Sequence, residues 1–224
     1  MDLSTVVVAP TRHVLAVLPP AALGSAAESR RNGLRSPADR DDFAAARLLA
    51  AHLLRAAGAG EVVPADLRQR CETCGGEHGL PSPVAGLFVS WSHAGGWVAA
   101  GVSRARLGVD VEAEGEVNLA AALTPAERTL VAAAEDPARS FRLAWTAKEA
   151  CVKAGAARLD DFAGLEVLAA PDMLRPSHGD LLLSAWLAPG ATAAAATAEP
   201  ARWSALGDRG DLLPIPGRAV GSPA

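Results

Sequence analysis

One short stretch of the chain holds the only two lysines of its 224 residues, Lys148 and Lys153. Arginine supplies every other Lys/Arg cation, so a compact point charge on a flexible stem occurs only here. The stretch predicts a helix on which Trp145, Glu149 and Lys153 lie one turn apart on one face. A lysine and a carboxylate at this spacing could form a site that binds a phosphate group. The alternative is an ordinary, exposed helical Glu–Lys pair.

A second stretch, residues 107–112, has the apolar and β-branched pattern of a strand. Alternation along a strand directs Asp110 and Glu112 to the same face. If the strand packs on the helix, the carboxylates of Asp110, Glu112 and Glu149 meet beside Lys153. Such a set suits Mg²⁺ holding a phosphate ester, because Mg²⁺ prefers a few carboxylates plus water and substrate oxygens. The alternative for this stretch alone is an edge strand with half-exposed acids.

Together the two stretches resemble the 4′-phosphopantetheinyl transferase family, whose signature is a Gly-x-Asp-x-Glu strand followed by Trp-x-x-Lys-Glu-x-x-x-Lys. The first half of the signature stands at residues 108–112 and the second at residues 145–153. Ser92 and His93, ahead of an apolar strand, are similar to the family's Ser-His segment. The resemblance covers about residues 28–165. The chain length is similar to that of the Sfp-like type, in which one chain carries two similar halves.

This resemblance implies a reaction: transfer of the phosphopantetheine arm from coenzyme A to a serine of a carrier protein, with release of adenosine 3′,5′-bisphosphate. It implies that Asp110, Glu112 and Glu149 hold Mg²⁺, with Mn²⁺ as the alternative metal. Glu149 would take the serine proton, directly or through a metal-bound water. Lys153 would neutralise charge on the phosphate, with Lys148 in support or at the nucleotide phosphate. The partners implied are acyl or peptidyl carrier domains of polyketide, nonribosomal peptide or fatty acid synthases, and residues 113–134 are expected to form one wall of the docking surface.

Five arginines between residues 30 and 47 form a cationic cluster in an otherwise acidic chain. Such clustering suits the phosphates of coenzyme A, whereas interleaved acids also fit a solvated, salt-laced helix face. The family resemblance favours coenzyme A, although Arg47 could instead serve packing between the halves. The residues expected to bind coenzyme A are Arg31, Arg35, Arg40, Arg47, Ser92, His93, Lys148 and Lys153.

The chain departs from the family pattern at two positions near this cluster. Asp42 occupies a position that is often basic in relatives, and Leu80 stands just before Pro81 where relatives commonly carry Lys or Arg. Both changes predict weaker binding of coenzyme A, because a charged phosphate contact contributes about 1.5–3 kcal/mol. Glu127, at a predicted helix start, is expected to be a further metal ligand or else an exposed acid that the helix dipole favours.

The motif Cys71-x-x-Cys74-x-x-x-His78 stands apart from these sites. Two thiolates and an imidazole at short spacing could bind zinc, but no fourth ligand follows at a convincing spacing, although Glu72 and Glu77 are close. The alternative is a glycine-rich turn in which the cysteines stay reduced. The sequence alone leaves both open, and Cys151 is expected to serve packing.

The element pattern predicts an α+β fold of two similar halves, each an antiparallel sheet plus a long helix, related by a pseudo-two-fold axis. The halves are expected at residues 1–105, on the coenzyme A side, and at 106–213, with the metal and catalytic residues. Residues 191–198 and a tail at 214–224 are expected to be flexible. The predicted elements are a strand over 3–18, a helix over 39–57, strands over 87–91, 97–103 and 107–112, a helix opened by Thr124-Pro125-Ala126-Glu127, a helix over 138–154, and strands near 164–169 and 181–187.

Composition excludes several other classes of protein. A net charge of −4 disfavours a nucleic-acid partner, and no apolar run approaches the roughly 18 residues needed to span a bilayer. A poor signal sequence and three cysteines predict a cytoplasmic protein, and the two-half plan predicts a monomer. Two other functions remain open: a carrier-binding module of the same fold with weak catalysis, and, more remotely, a metal-dependent phosphodiesterase or nuclease. The nuclease is disfavoured because Lys148 precedes Glu149, whereas such nucleases need Glu-x-Lys.

Overall fold

A computed structural model describes residues 4–71, 74–115 and 120–215 and confirms the predicted α+β class. Two main sheets carry the fold, one five-stranded in the order β13-β12-β1-β5-β4 and one four-stranded in the order β6-β11-β10-β9. The described strands are β1 Ser4–Pro10, β2 Gln69–Arg70, β3 Leu80–Pro81, β4 Phe88–Ala94, β5 Trp97–Ser103, β6 Leu107–Ala113, β7 Leu168–Ala170, β8 Met173–Leu174, β9 Ser177–His178, β10 Leu181–Ala188, β11 Ala191–Thr197, β12 Ala201–Leu206 and β13 Leu212–Pro214.

The two longest helices begin at well-defined caps. The Ser36 hydroxyl accepts the Asp39 N–H before the first of them, and the Asp136 carboxylate accepts the Arg139 N–H before the second. A proline follows each cap, where the missing N–H costs nothing. The described helices are α1 Thr11–Val17, α2 Ser25–Asn32, α3 Pro37–Ala56, α4 Pro125–Ala132 and α5 Pro137–Lys153, with short 3₁₀ turns at Pro64–Asp66, Ala120–Ala122 and Leu159–Gly164.

The sheets and the two long helices form four layers in the order α3, first sheet, second sheet, α5. One apolar cluster lies between α3 and the first sheet, and another lies between α5 and the second sheet. A third cluster joins the inner faces of the sheets, where Val6 and Val8 of β1 meet Val109 and Val111 of β6. The candidate site residues on β6 and α5 therefore lie on elements that are fixed by the α5 cluster on one side of β6 and by the inter-sheet cluster on the other. No helix among the described residues has the length and apolar character that crossing a membrane requires.

The amino-terminal segment corrects the predicted strand over residues 3–18. The strand ends at Pro10, and a helix follows from Thr11 to Val17. Val14 and Leu18, one helical turn apart, are both buried. Apolar residues at this spacing belong to a helix period, which the strand prediction overlooked.

The alanine-rich stretch is the second correction, because residues 191–197 form β11 rather than a flexible segment. This strand pairs with β6 on one edge and β10 on the other, and all seven of its residues are buried. Ala194 faces the α5 cluster and Ala193 faces the first sheet. Small side chains let both layers approach, so packing overrides the low strand propensity of alanine.

The expected boundary between the halves also differs from the sheet topology. Strands β12 and β13, from the end of the chain, complete the first sheet, and β12 runs parallel to β1. This pairing covers an edge of β1 that would otherwise be open. The pseudo-two-fold relation between the halves stays a prediction. Most of the expected flexible tail, residues 216–224, lies outside the described residues.

Candidate active site

Gly108 lets helix α5 lie directly on strand β6. A Cβ added at Gly108 would stand 2.0 Å from the Ala150 carbonyl oxygen and 2.5 Å from the Ala154 nitrogen. Real side chains essentially never come so close to backbone atoms, so this position excludes every residue except glycine. The glycine of the strand motif therefore brings the acids of α5 over those of β6.

We expect Gly108→Ala to lower the free energy of unfolding by about 3 kcal/mol, because α5 must move away from β6 to make room for the methyl group. Urea denaturation measures this loss. Gly164→Ala is the matched control, since a Cβ there meets nothing within 4 Å. Equal stability of the two variants would contradict the close packing of helix on strand.

Asp110 lies at the centre of the acid cluster and is only 3% exposed. Its Oδ1 accepts hydrogen bonds from Ser92 Oγ at 2.6 Å and from Lys153 Nζ at 2.5 Å. Its Oδ2 is buried without a hydrogen-bond partner among the described residues. A buried carboxylate oxygen without a partner is costly, so this atom points to a cation that binds here.

Glu112 and Glu149 stand close to Asp110. The Glu112 carboxylate accepts the Trp145 Nε1–H at 3.0 Å. Burial and then the charge of Asp110 raise the pKa of both glutamates. The three carboxylates interact electrostatically, and with the unpartnered Asp110 oxygen they offer the type of oxygen ligand that Mg²⁺ prefers.

Lys153 joins the acid cluster to an open cleft. Its Nζ donates to Ser92 Oγ at 2.9 Å as well as to Asp110, and its side chain remains 26% exposed. The cleft beside it has a volume of about 550 Å³ and is lined in part by Arg30, Arg47 and His93. Lys153 therefore connects the buried Asp110 carboxylate to a cleft that also holds two arginines.

Arg47 is the most deeply placed cation of the cleft. Its guanidinium carbon lies 3.5 Å from the centroid of the Phe43 ring and 5.4 Å from that of Trp91. It donates hydrogen bonds to neutral acceptors, the Phe43 carbonyl and Gln69 Oε1. Burial and then the charge of Arg30 lower the pKa of Arg47 to about 9. A buried cation beside a second cation is stabilised when an anion binds.

A family model of the 4′-phosphopantetheinyl transferase superfamily matches residues 106–196. The match includes β6, α5 and β11, and with them Asp110, Glu112, Glu149 and Lys153. Residues 106–196 belong to the 4′-phosphopantetheinyl transferase superfamily. A comparison with curated proteins finds no match to the chain.

Of the arginines expected to bind coenzyme A, Arg47 lines the cleft. Arg31 pairs with Glu28 at 3.7 Å and donates to the Arg40 carbonyl. Arg40 in turn donates to the Leu34 carbonyl. Arg31, Arg35 and Arg40 do not line the cleft, whereas Arg30 does. Adjacent residues of a helix point about 100° apart, so Arg30 and Arg31 of α2 cannot both face Arg47. A helical wheel of α2 could therefore have distinguished the two arginines.

Gln69 lines the cleft, although no sequence motif indicates it. Its Oε1 accepts hydrogen bonds from both Arg30, at 3.1 Å, and Arg47, at 3.2 Å. No local pattern marks this glutamine, because the pairing joins α2, α3 and β2. Phe43 also lines the cleft, and its place could have been predicted, because it lies one helical turn before Arg47 on the same face of α3.

His93 lines the cleft and packs edge-on against Phe43, with 5.9 Å between ring centroids. Burial lowers the pKa of His93, and the charge of Asp42 opposes this effect. Near neutral pH the ring is therefore uncharged, and it offers one donor and one acceptor.

We expect the protein to lose stability as pH falls below the ordinary histidine pKa of 6.5. Because the pKa of native His93 is lowered, the unfolded chain takes up a proton at a pH where the native protein does not. Stability therefore rises with pH across this window, by up to about 1.4 kcal/mol per pH unit for one histidine. Urea denaturation between pH 5.5 and 7.5, a range of about two units, measures the slope.

His93→Gln should reduce this slope, and His52, whose pKa burial also lowers, should maintain part of it. His178→Gln, at a partly exposed position on β9, is the matched control and should keep the parental slope. A His93→Gln slope equal to that of the parent would contradict the prediction.

Lys148 does not reach the cleft, which corrects its expected place at a phosphate. Its side chain is fully buried, and Nζ pairs with Glu127 Oε2 at 2.6 Å. It also donates to the carbonyls of Ala122 and Phe162, both at 2.8 Å. These three partners use all three N–H groups of the ammonium, so Lys148 holds structure together.

Glu127 was expected to be either a metal ligand or an exposed acid, and the structure supports neither role. The side chain is buried, and its oxygens contact groups outside the acid cluster. Oε2 accepts the Thr124 N–H in a capping box, and Oε1 accepts the Val167 N–H at 2.8 Å. With Lys148, these contacts tie α4, α5 and the segment before β7 together. The capping box was visible in sequence, whereas the tertiary partners were not.

Asp42 also differs from its expected place beside a phosphate. Its two oxygens accept the Thr11 hydroxyl and the Gly96 N–H, so it holds α3 against α1 and the β4–β5 turn. It does not line the arginine cleft. Asp42 therefore gives no reason to expect weaker binding of coenzyme A. Leu80 is 37% exposed and provides no charge for a phosphate, so that part of the expectation stays.

Proposed function

We propose that the protein catalyses Mg²⁺-dependent transfer of the 4′-phosphopantetheine arm from coenzyme A to a serine of an acyl or peptidyl carrier protein, with release of adenosine 3′,5′-bisphosphate. One observation carries the proposal: the Asp110, Glu112 and Glu149 cluster opens, through Lys153, onto a cleft lined by Arg30 and Arg47. An acid cluster suits a metal, and the adjoining cations suit the phosphates of the same substrate.

The arginine end of the cleft is assigned to the nucleotide end of coenzyme A. Arg30 and Arg47 share Gln69 as a neutral partner, so both guanidinium groups keep donors for a phosphate. Neutral His93 adds a hydrogen bond without adding charge. Ser92 lines the same cleft, where its hydroxyl donates to Asp110 and accepts a hydrogen bond from Lys153.

The acid end of the cleft is assigned to the reacting phosphates. When bound by Asp110, Glu112 and Glu149, Mg²⁺ supplies positive charge that offsets the charge of the coenzyme A pyrophosphate, and Mn²⁺ could replace it. The Lys153 ammonium adds charge on the cleft side, where the leaving phosphate gains its negative charge.

Glu149 is assigned as the general base. Its carboxylate accepts the proton of the carrier serine hydroxyl, and because its pKa is raised by burial it is a stronger base than an ordinary glutamate. The serine oxygen then bonds to the phosphorus of the phosphopantetheine arm. The bond from that phosphorus to the adenosine bisphosphate breaks, and the electron pair leaves with the nucleotide.

The proposal also includes the carrier-protein partner, the cellular location and the oligomeric state. The protein acts as a cytoplasmic monomer of the Sfp-like type on carrier domains of polyketide, nonribosomal peptide or fatty acid synthases. Residues 113–134 form one wall of the docking surface, of which 116–119 lie outside the described residues. Arg128, the cation of this stretch, donates to the Leu123 carbonyl and holds the turn before α4.

The test is the intact mass of several apo carrier proteins after incubation with the protein, coenzyme A and Mg²⁺, with and without EDTA. The expected result is a gain equal to the phosphopantetheine arm that EDTA abolishes. No gain on any carrier, in a protein that binds coenzyme A in calorimetry, would refute the enzyme and favour a carrier-binding module of the same fold.

A further inference from the structure

A second cluster of metal-ligand side chains lies outside the cleft, in the loop between β2 and β3. The ligand atoms of Cys71, Cys74 and His78 all lie within 4.8 Å of one another. Cys74 Sγ and His78 Nε2 are 3.1 Å apart. Neighbouring ligand atoms around a tetrahedral zinc with ordinary bond lengths are about 3.5–3.8 Å apart, so small side-chain rotations complete the geometry.

The backbone of the loop builds this convergence. The Cys71 N–H donates to the Gly76 carbonyl at 2.9 Å, and the Gly75 N–H donates to the Cys71 carbonyl at 2.8 Å. Gly75 has a φ of 70°, which favours glycine. A Cβ added at Gly76 would lie 3.3 Å from Cys74 Sγ and 3.2 Å from a His78 ring carbon. The glycines therefore let the chain fold back until the two thiols and the imidazole meet.

The chemistry of the donors selects the metal. Two thiolates and a neutral imidazole are soft and borderline ligands that suit Zn²⁺, whereas Mg²⁺ prefers the all-oxygen cluster on β6 and α5. Cys74 and His78 are exposed and Cys71 is partly exposed, so water can fill a fourth position.

We infer that Cys71, Cys74 and His78 bind one Zn²⁺ ion, which fixes the β2–β3 hairpin beside the cleft. The same hairpin carries Gln69, whose Nε2 donates to the Gly79 carbonyl at 2.7 Å across the base of the loop. Through its Oε1, Gln69 contacts Arg30 and Arg47. Zinc in the loop thereby limits the motion of the strand that orients the two arginines. The ion takes no part in the transfer reaction, so the inference stands whatever the protein transfers.

The test begins with the metal content of the full-length protein, purified under reducing conditions without chelators and reconstituted with Zn²⁺. We expect about one zinc per chain. Cys74→Ser and His78→Gln should each weaken zinc binding by at least about a hundredfold, since loss of a direct ligand exceeds the 10–100-fold effect of losing an outer partner. Cys151→Ala, which removes a buried thiol far from the loop in sequence, is the matched control and should keep the metal.

Cobalt substitution identifies the ligands by a signal that other sites do not produce. Co²⁺ in the protein should show thiolate charge-transfer absorption and the visible bands of a tetrahedral ion, and both should disappear in Cys74→Ser. Hydrogen exchange over residues 69–81 should be slower with zinc than after its removal by a chelator.

Three results would overturn the inference: a reconstituted parent protein that stays free of zinc, a cobalt spectrum without thiolate bands, or a Cys71–Cys74 disulfide under the same reducing conditions. Equal hydrogen exchange with and without zinc would overturn the positioning of the hairpin.

Discussion

Asp110→Asn is expected to lower carrier-protein modification by about a hundredfold to a thousandfold while the fold stays intact. Asp110 supplies the oxygen without a hydrogen-bond partner and the oxygen that anchors Lys153. Asparagine keeps the size and an acceptor but removes the negative charge. The cluster then loses its central acid, and Lys153 loses the carboxylate that holds it at the edge of the cleft. The rate of arm transfer to an apo carrier protein, at saturating coenzyme A and Mg²⁺, measures the effect.

Asp180→Asn is the matched control for this substitution. Asp180 pairs with Arg106 at 2.7 Å, but its side chain, in the turn between β9 and β10, is 70% exposed. Exposed pairs contribute little, so the control should keep both turnover and stability near those of the parent. Near-normal turnover of Asp110→Asn, with a circular dichroism spectrum like that of the parent, would refute the assignment of Asp110 to the metal and to Lys153.

Lys148→Met is expected to lower the free energy of unfolding by about 3–5 kcal/mol, because it leaves the Glu127 carboxylate charged and buried without its counter-ion. Both side chains of this pair are almost fully inaccessible to water. The hydrogen bonds that Glu127 accepts from Thr124 and Val167 remain but cannot neutralise it. Urea denaturation measures the loss.

Arg175→Met provides the comparison, since Arg175 and Glu166 form an ion pair of similar length whose side chains are 45% and 43% exposed. That change should cost less than about 1 kcal/mol. The double variant Glu127→Gln/Lys148→Met should lose less than the sum of its single variants, because the two sites are in direct contact. A Lys148→Met variant as stable as Arg175→Met would contradict the role of the buried pair.

The same variant separates a structural lysine from a phosphate-binding one. At a temperature where Lys148→Met stays folded, its KM for coenzyme A should remain near that of the parent, because Nζ is enclosed by Glu127, Ala122 and Phe162. A large rise in KM without loss of stability would return Lys148 to the nucleotide site.

Local patterns in the sequence predict which strand and which helix carry the three acids. Alternation along a strand places Asp110 and Glu112 on one face, and the helical period places Glu149 and Lys153 on another. Only the packing of one element on the other was an assumption, and Gly108 makes that packing feasible at backbone contact. Helix starts were also local, since the caps at Ser36 and Asp136 use side chains within three residues.

Local sequence patterns do not predict which arginines line the cleft. A cluster of cations in the sequence states that positive charge is present, but not which side chain turns towards a cavity. Arg30 and Arg31 are neighbours, yet one lines the cleft and the other pairs with Glu28. Gln69 became visible only through its contacts with two arginines from other elements.

By itself, the sequence determined the α+β class, the strand and helix that carry the acids, and the likeness to phosphopantetheinyl transferases, because each depends on spacing within a few residues. The tertiary structure alone decided that Lys148 and Glu127 neutralise each other in the core, that β11 is a buried alanine strand, and that β12 and β13 return to the first sheet. The physical reason is that these outcomes depend on burial and on partners distant in the chain. The free energy of a buried charge or of a small side chain is set by the layer that covers it, and no local pattern specifies that layer.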